Sequence, residues 1–138
     1  MIYGYEVEKT PEGFVAKVAV LGMTTKPQES EDAAGEVLRE GMSGFIELQY
    51  RRRKKPIPVP DKMPEAGNAL YIPIKLQLRI LLWNTMMEKH ISQTELAQLL
   101  KITRQQVQRY VDGSDTVSVE KYEQALIALD VCPTVELR

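Results

Sequence analysis

The chain has one cysteine and one histidine in 138 residues, and only 7% of it is aromatic. A lone cysteine, Cys132, forms no internal disulfide, so a reducing compartment is the simpler expectation. His90 is the single histidine and lies far from Cys132 in sequence, so a thiol–imidazole nucleophile pair has no signal. There is no glycine-rich phosphate loop and no cluster of residues at metal-ligand spacing, so neither cofactor nor metal is expected. No apolar stretch approaches the roughly 18 residues that a membrane helix needs. Tyr3, Gly4 and Glu6 interrupt the opening segment, which therefore lacks a signal-peptide profile. An excess of charge of one sign is also missing, with 18 Lys and Arg against 19 Asp and Glu. That balance excludes a histone-like polycation and leaves room for a local basic face. The 43% apolar share supports a packed core. A soluble, cytoplasmic protein is the expectation.

Hydrophobic periodicity divides what is present into two halves. Tyr3, Tyr5 and Val7 alternate with polar residues, and Phe14, Ala16, Val18 and Val20 do so after the turn Thr10-Pro11-Glu12-Gly13. This pattern predicts an antiparallel hairpin with one buried side, with Thr24–Pro27 adding a short strand or a loop. From Ser30, a helix N-cap, the period becomes helical to about residue 50, with Ala34, Val37, Leu38, Phe45 and Leu48 on the apolar face. Gly35, Gly41 and Gly44 weaken that helix unless they permit close contact with the sheet. The cationic run Arg51–Lys55 and the prolines at 56, 58, 60 and 64 read as an extended connector. Cations there complement a helix C-terminus and keep a linker solvated; auxiliary phosphate contact is the second reading. The expected division is 1–50, a linker 51–68, and 69–138.

The second half is helical. Leu76, Ile80, Leu81, Trp83 and Met87 mark a first helix that ends before His90. Ser92 caps a second helix, with Glu95 completing a capping box. Thr103 caps a third helix with Val107, Tyr110 and Val111 inside, closed by Gly113. Ser118 opens a fourth through Tyr122, Ala125, Leu126 and Leu129. Ala69–Ile74 and Thr134–Arg138 read as short strands without obvious partners.

Ser92 to Gly113 has the spacing of a helix-turn-helix, with Ala97 at the close crossing and Ile102 in the turn. Thr103, Arg104, Gln105, Gln106, Gln108 and Arg109 then lie on or near the exposed face. Arg can bond guanine O6 and N7 bidentately, and Gln the N6 and N7 of adenine. Gln93, at the start of the preceding helix, is placed for a phosphate contact. Lys101, Arg104 and Arg109 are the nearby cations, so tight operator binding needs at least a dimer with half-sites about 34 Å apart. The bland alternative is a solvated face of a structural bundle. Glutamines at 105, 106 and 108, with no acid from 96 to 111, favour the reading helix.

The order Tyr3-Gly4-Tyr5, Pro11-Glu12-Gly13, Phe14–Val20, Ser30–Ala34, Tyr71–Ile74 and the helix-turn-helix Ser92–Gly113 resembles HicB-type antitoxins with a Cro/repressor-like domain. The resemblance implies an α+β chain. Its amino-terminal strand–strand–helix unit would resemble a partial ribonuclease-H-like fold and block a small mRNA-cleaving HicA-type toxin. Its all-α domain would bind the operator of its own operon as a homodimer, or as a tetramer of paired dimers. Lys101 stands where repressor-type turns commonly carry glycine, which implies a slightly different turn. Asp32, Glu36, Glu40 and Glu47 form an acidic stripe opposite Ala34 and Leu38. The first three could steer a basic toxin, or be ordinary solvated surface. Metal-dependent hydrolysis would need several converging carboxylates, whereas Glu6 and Glu8 share the polar face of one strand, so an enzyme is not expected. The competing function is a stand-alone regulator whose amino-terminal unit senses a ligand or mediates oligomerisation.

Overall fold

A computed structural model describes residues 1–61, 68–113 and 116–136. The chain is α+β and divides into two compact units, Met1–Arg53 with Ile57–Ile72, and Lys54–Pro56 with Pro73–Arg138.

In the first unit, β1 (Ile2–Gly4) pairs antiparallel with β5 (Ala69–Tyr71), with Tyr3 opposite Leu70. The three strands β2 (Glu6–Thr10), β3 (Gly13–Val18) and β4 (Met23–Thr24) form an antiparallel sheet in that order. Val7 lies opposite Ala16, and Val18 opposite Met23. The tetrapeptide turn forms as its composition demands. The Thr10 hydroxyl donates to the Gly13 carbonyl at 2.8 Å, and Gly13 takes φ +138°. A Cβ at Gly13 would lie 2.5 Å from the Gln28 carbonyl oxygen, which accepts the Phe14 N–H. Only glycine serves there.

Two apolar positions turn out differently from the alternation. Val20 is 46% exposed, because β3 ends at Val18 and a turn through Ala19–Gly22 swings Leu21 inward instead. The strand expected at Ala69–Ile74 is β5, and it completes the first unit rather than opening the second. Leu70 is buried there with Tyr3, so the boundary falls near residue 72 and not at 69.

Helix α1 (Glu31–Ile46) starts as read, with the Ser30 hydroxyl accepting the Ala33 N–H at 3.0 Å. Its buried stripe is Ala34, Gly35, Leu38, Met42 and Ile46. Val37 (37%) and Leu48 (54%) are exposed, contrary to the apolar count. Steps of four residues select 34, 38, 42 and 46 as one face, and Met42 and Ile46 fill it. Glycine permits close approach: a Cβ at Gly35 would sit 2.9 Å from the Tyr5 hydroxyl. Beyond Ile46 the helix widens into a π-helical turn, Glu47–Arg51. There the Glu47 carboxylate is gripped by Arg51 and lies 3.5 Å from Arg52. Tyr50 donates to the Leu21 carbonyl at 2.7 Å.

The segment expected as an extended connector over 51–68 is anchored within its described part. Ile57 is buried, and the buried Tyr3 hydroxyl donates to the Pro58 carbonyl at 2.7 Å. Burial pushes the Tyr3 phenol well above its ordinary range. Pro64 and residues 62–67 lie outside the described residues.

The second unit packs α2 (Ile74–Lys89), α3 (Gln93–Leu100), α4 (Arg104–Asp112) and α5 (Val119–Ala128) around one core. Ile80, Leu82, Trp83 and Met86 carry the buried face of α2, so the helix is rotated from the expected stripe, leaving Leu76, Leu81 and Met87 half-buried. Residues 131–136 form no strand, while 137 and 138 lie outside the described residues.

Candidate nucleic-acid interface

The helix-turn-helix is built from side chains that settle helix ends. Ser92 accepts the Glu95 N–H at 3.1 Å, and Glu95 answers by accepting the Ser92 N–H, so α3 starts with a complete capping box. Helix α4 repeats the device. The Thr103 hydroxyl accepts the Gln106 N–H at 3.1 Å, and Gln106 Oε1 accepts the Thr103 N–H at 2.9 Å. Two of the residues read as base-contacting therefore set the start of the reading helix. The T-x-x-Q spacing is itself the signal of a capping box, and it identifies Gln106 as a positioning residue.

The ends are equally local. His90, Lys101 and Asp130 all take left-handed backbone, with φ of 55°, 56° and 62°. Each is followed by a β-branched residue whose N–H reaches back five residues: Ile91 to Met86, Ile102 to Ala97, and Val131 to Leu126. These are Schellman closures, in which the following apolar residue packs back on the helix. The turn between α3 and α4 is thus the ordinary one. Lys101 adopts the backbone that glycine would, so its side chain does not produce a different turn.

Gly113 closes α4 at φ +83°. A Cβ there would lie 1.6 Å from a guanidinium nitrogen of Arg79, a buried cation on α2. Positive charge at the end of α4 complements its dipole. Tyr122 donates to the Tyr110 carbonyl at 2.8 Å, also in this last turn. Burial pushes its phenol up to about 12, with Arg79 pulling the other way and Asp112 and Tyr110 adding smaller upward pushes. Neither Arg79 nor Tyr122 stood out in the sequence as a support of the reading helix. Their role follows from helices that meet only in the tertiary structure.

Val107, Tyr110 and Val111 are buried, and so is Ala97 on α3. This leaves Gln105 and Arg109, one turn apart, on the side of α4 opposite the core. Arg104 is exposed beside them, Gln108 is half-buried, and Gln93 is half-buried at the start of α3. Among the described residues, Lys101, Arg104 and Arg109 form no ion pair. The arrangement offers fork-shaped donors and amide groups on a rigid helix, with free cations at its edge. That is the chemistry of base-edge and phosphate contact.

The other expected site lies on α1. Asp32, Glu36 and Glu40 are all exposed there, but Glu36 is paired with Arg39. Glu47 does not continue the stripe, because Arg51 and Arg52 enclose it. Glu6 and Glu8 are exposed on β2, with Glu8 3.7 Å from Lys17. Among the described residues no group of His, Cys, Asp and Glu is arranged to hold a metal ion, and no helix is long and apolar enough to cross a membrane.

Comparison with known proteins agrees with this geometry. The helix-turn-helix family model matches residues 85–137. Antitoxin HicB of Pseudomonas fluorescens is 34% identical over 101 residues, covering 68% of this chain and 69% of that protein. The chain belongs to the HicB antitoxin family. A second relative, Antitoxin HicB 2 of Photorhabdus laumondii, is 34% identical over 80 residues, 58% of this chain and 56% of its own length. This HicB chain carries a helix-turn-helix DNA-binding domain in its second unit, α2 to α5. The HicB assignment and the helix-turn-helix together point to a regulator.

Proposed function

We propose that this chain neutralises a small, basic, mRNA-cleaving toxin of the HicA type by direct binding, and represses its own operon by binding operator DNA as an oligomer. The amino-terminal unit, read as a partial ribonuclease-H-like fold, takes the toxin. Asp32, Glu36 and Glu40 steer it. The carboxy-terminal unit reads the operator with Arg104, Gln105, Gln108 and Arg109 against bases, and with Gln93 against phosphate. Thr103 and Gln106 hold the helix start at the groove. Two protomers supply two reading helices to half-sites about 34 Å apart, and a tetramer pairs two such dimers in the cytoplasm.

The observation that carries this reading is the capped helix α4, where Arg104 and Arg109 have no carboxylate partner among the described residues and Gln105 is exposed beside them. The distribution of charge supports a division of labour. The first unit holds 8 Lys and Arg against 11 Asp and Glu, a net −3, and the second 10 against 8, a net +2. A cationic toxin suits the first, and polyanionic DNA the second.

The test is a mobility shift of the intact chain on its own promoter, with and without the co-expressed product of the neighbouring reading frame. A salt-dependent, sequence-preferring shift is expected, and R104A/Q105A should lose the preference, by about 1–3 kcal/mol for each bidentate contact. The toxin-neighbour product should co-purify with wild type and with R104A/Q105A alike. Absence of any sequence-preferring shift would reject the repressor half. Failure of a small basic neighbour to co-purify would reject the antitoxin half and leave a stand-alone regulator.

A further inference from the structure

We propose that Lys54 and Lys55 form a backbone-phosphate contact of the DNA-binding unit, fixed in place by Trp83. This inference rests on the DNA-binding reading above.

The cationic run Arg51–Lys55 is uniform in sequence but divided in structure. Arg51 and Arg52 are taken up by Glu47 within the first unit. Lys54 and Lys55 belong to the second unit. Both are exposed, and among the described residues neither has an ion-pair partner. Their backbone, however, is anchored. Lys54 takes left-handed backbone at φ 54°, a turn that a flexible linker would not hold. The indole N–H of Trp83, itself 7% exposed, donates to the Lys55 carbonyl at 2.8 Å. Pro56 follows, which restricts Lys55 to extended backbone. Trp83 lies on α2, and α2 packs directly against the reading helix α4.

A run that only solubilises a linker gains nothing from being tied to a buried indole. Two exposed ammonium groups on a backbone held to the reading domain are suited to phosphate, because little freedom remains to be lost on binding. Their weight in the charge balance is large. Without them the second unit has 8 Lys and Arg against 8 Asp and Glu, so these two lysines supply its whole net +2. Lysine also suits the task, since phosphate is met here as a point charge without base recognition.

The experiment titrates salt against binding of the full chain to promoter DNA and to an unrelated duplex, by fluorescence anisotropy. Each phosphate neutralised contributes about 0.9 to the slope of log K against log salt. K54Q/K55Q should therefore flatten the slope by about 1.8 per bound protomer. Its affinity should fall by the same factor on both duplexes, since phosphate contacts carry no sequence information. K54R/K55R should keep the wild-type slope. An unchanged slope in K54Q/K55Q overturns the proposal, as does weaker binding at an unchanged slope. Should wild type show no sequence-preferring binding, the DNA reading fails and this inference falls with it.

Discussion

The two units of this HicB chain secure their elements by different means. In the second, every helix after α2 starts at a hydroxyl cap, Ser92, Thr103 or Ser118, and three helices end in the same Schellman closure. These are contacts between residues three to five apart. The first unit depends on distance. Its opening strand pairs with β5, more than sixty residues on, and Tyr3 is tied to Pro58. Local closure makes a domain whose plan can be read along the chain, and long-range closure makes one whose plan cannot.

A glycine in each unit gives the strongest way to break this contrast. Gly113→Ala drives a Cβ into Arg79, and Gly13→Ala drives one into the Gln28 carbonyl, both at positive φ. Left-handed strain and overpacking together should cost about 2–5 kcal/mol in either case. Trp83, the one tryptophan, reports the second unit. Its fluorescence midpoint in urea should fall sharply in Gly113→Ala and stay in place in Gly13→Ala. Equal shifts in both would mean that the units melt as one block.

A smaller effect separates the two partners. D32K/E36K/E40K should slow toxin association by roughly tenfold or more at low salt and leave promoter binding unchanged, as read by surface plasmon resonance. Because Arg39 already pairs with Glu36, most of the change should come from Asp32 and Glu40. An unaltered association rate would reduce the stripe to solvated surface.

The smallest effect sharpens the account of the turn. Lys101→Gly should stabilise the second unit by about 0.5–1 kcal/mol, because glycine takes left-handed backbone without a Cβ clash. Its DNA affinity should nonetheless fall with the lost cation. A lowered melting temperature would show that the lysine stem contributes more than its backbone costs.

Much of the second unit was legible in advance: the caps at Ser92, Thr103 and Ser118, the core residues Val107, Tyr110, Val111, Tyr122 and Leu126, and the glycine that closes α4. The caps lie within one helical turn of the groups they bind, and the core residues follow the helical period that each cap starts. The capping role of Gln106 was not legible, since a glutamine at the third helical position serves a cap as readily as a base. In the first unit the hairpin and the Ser30 cap were legible, but the apolar face of α1 was displaced toward Met42 and Ile46. Counting apolar residues cannot tell which of two adjacent stripes meets a sheet.

The lack of surplus charge, and the single cysteine and histidine, were determined by sequence alone. So were the alternation of a sheet half and a helical half, and the capped helix-turn-helix, all set by composition or by neighbours a few residues apart. Only the tertiary structure decided that residues 69–71 return to the first strand. It also decided that Arg79 lies beneath the end of α4, and that the cationic run is shared between a carboxylate in one unit and an indole in the other. Those outcomes depend on which surfaces bury one another, and burial is a property of the folded chain, not of any window along it.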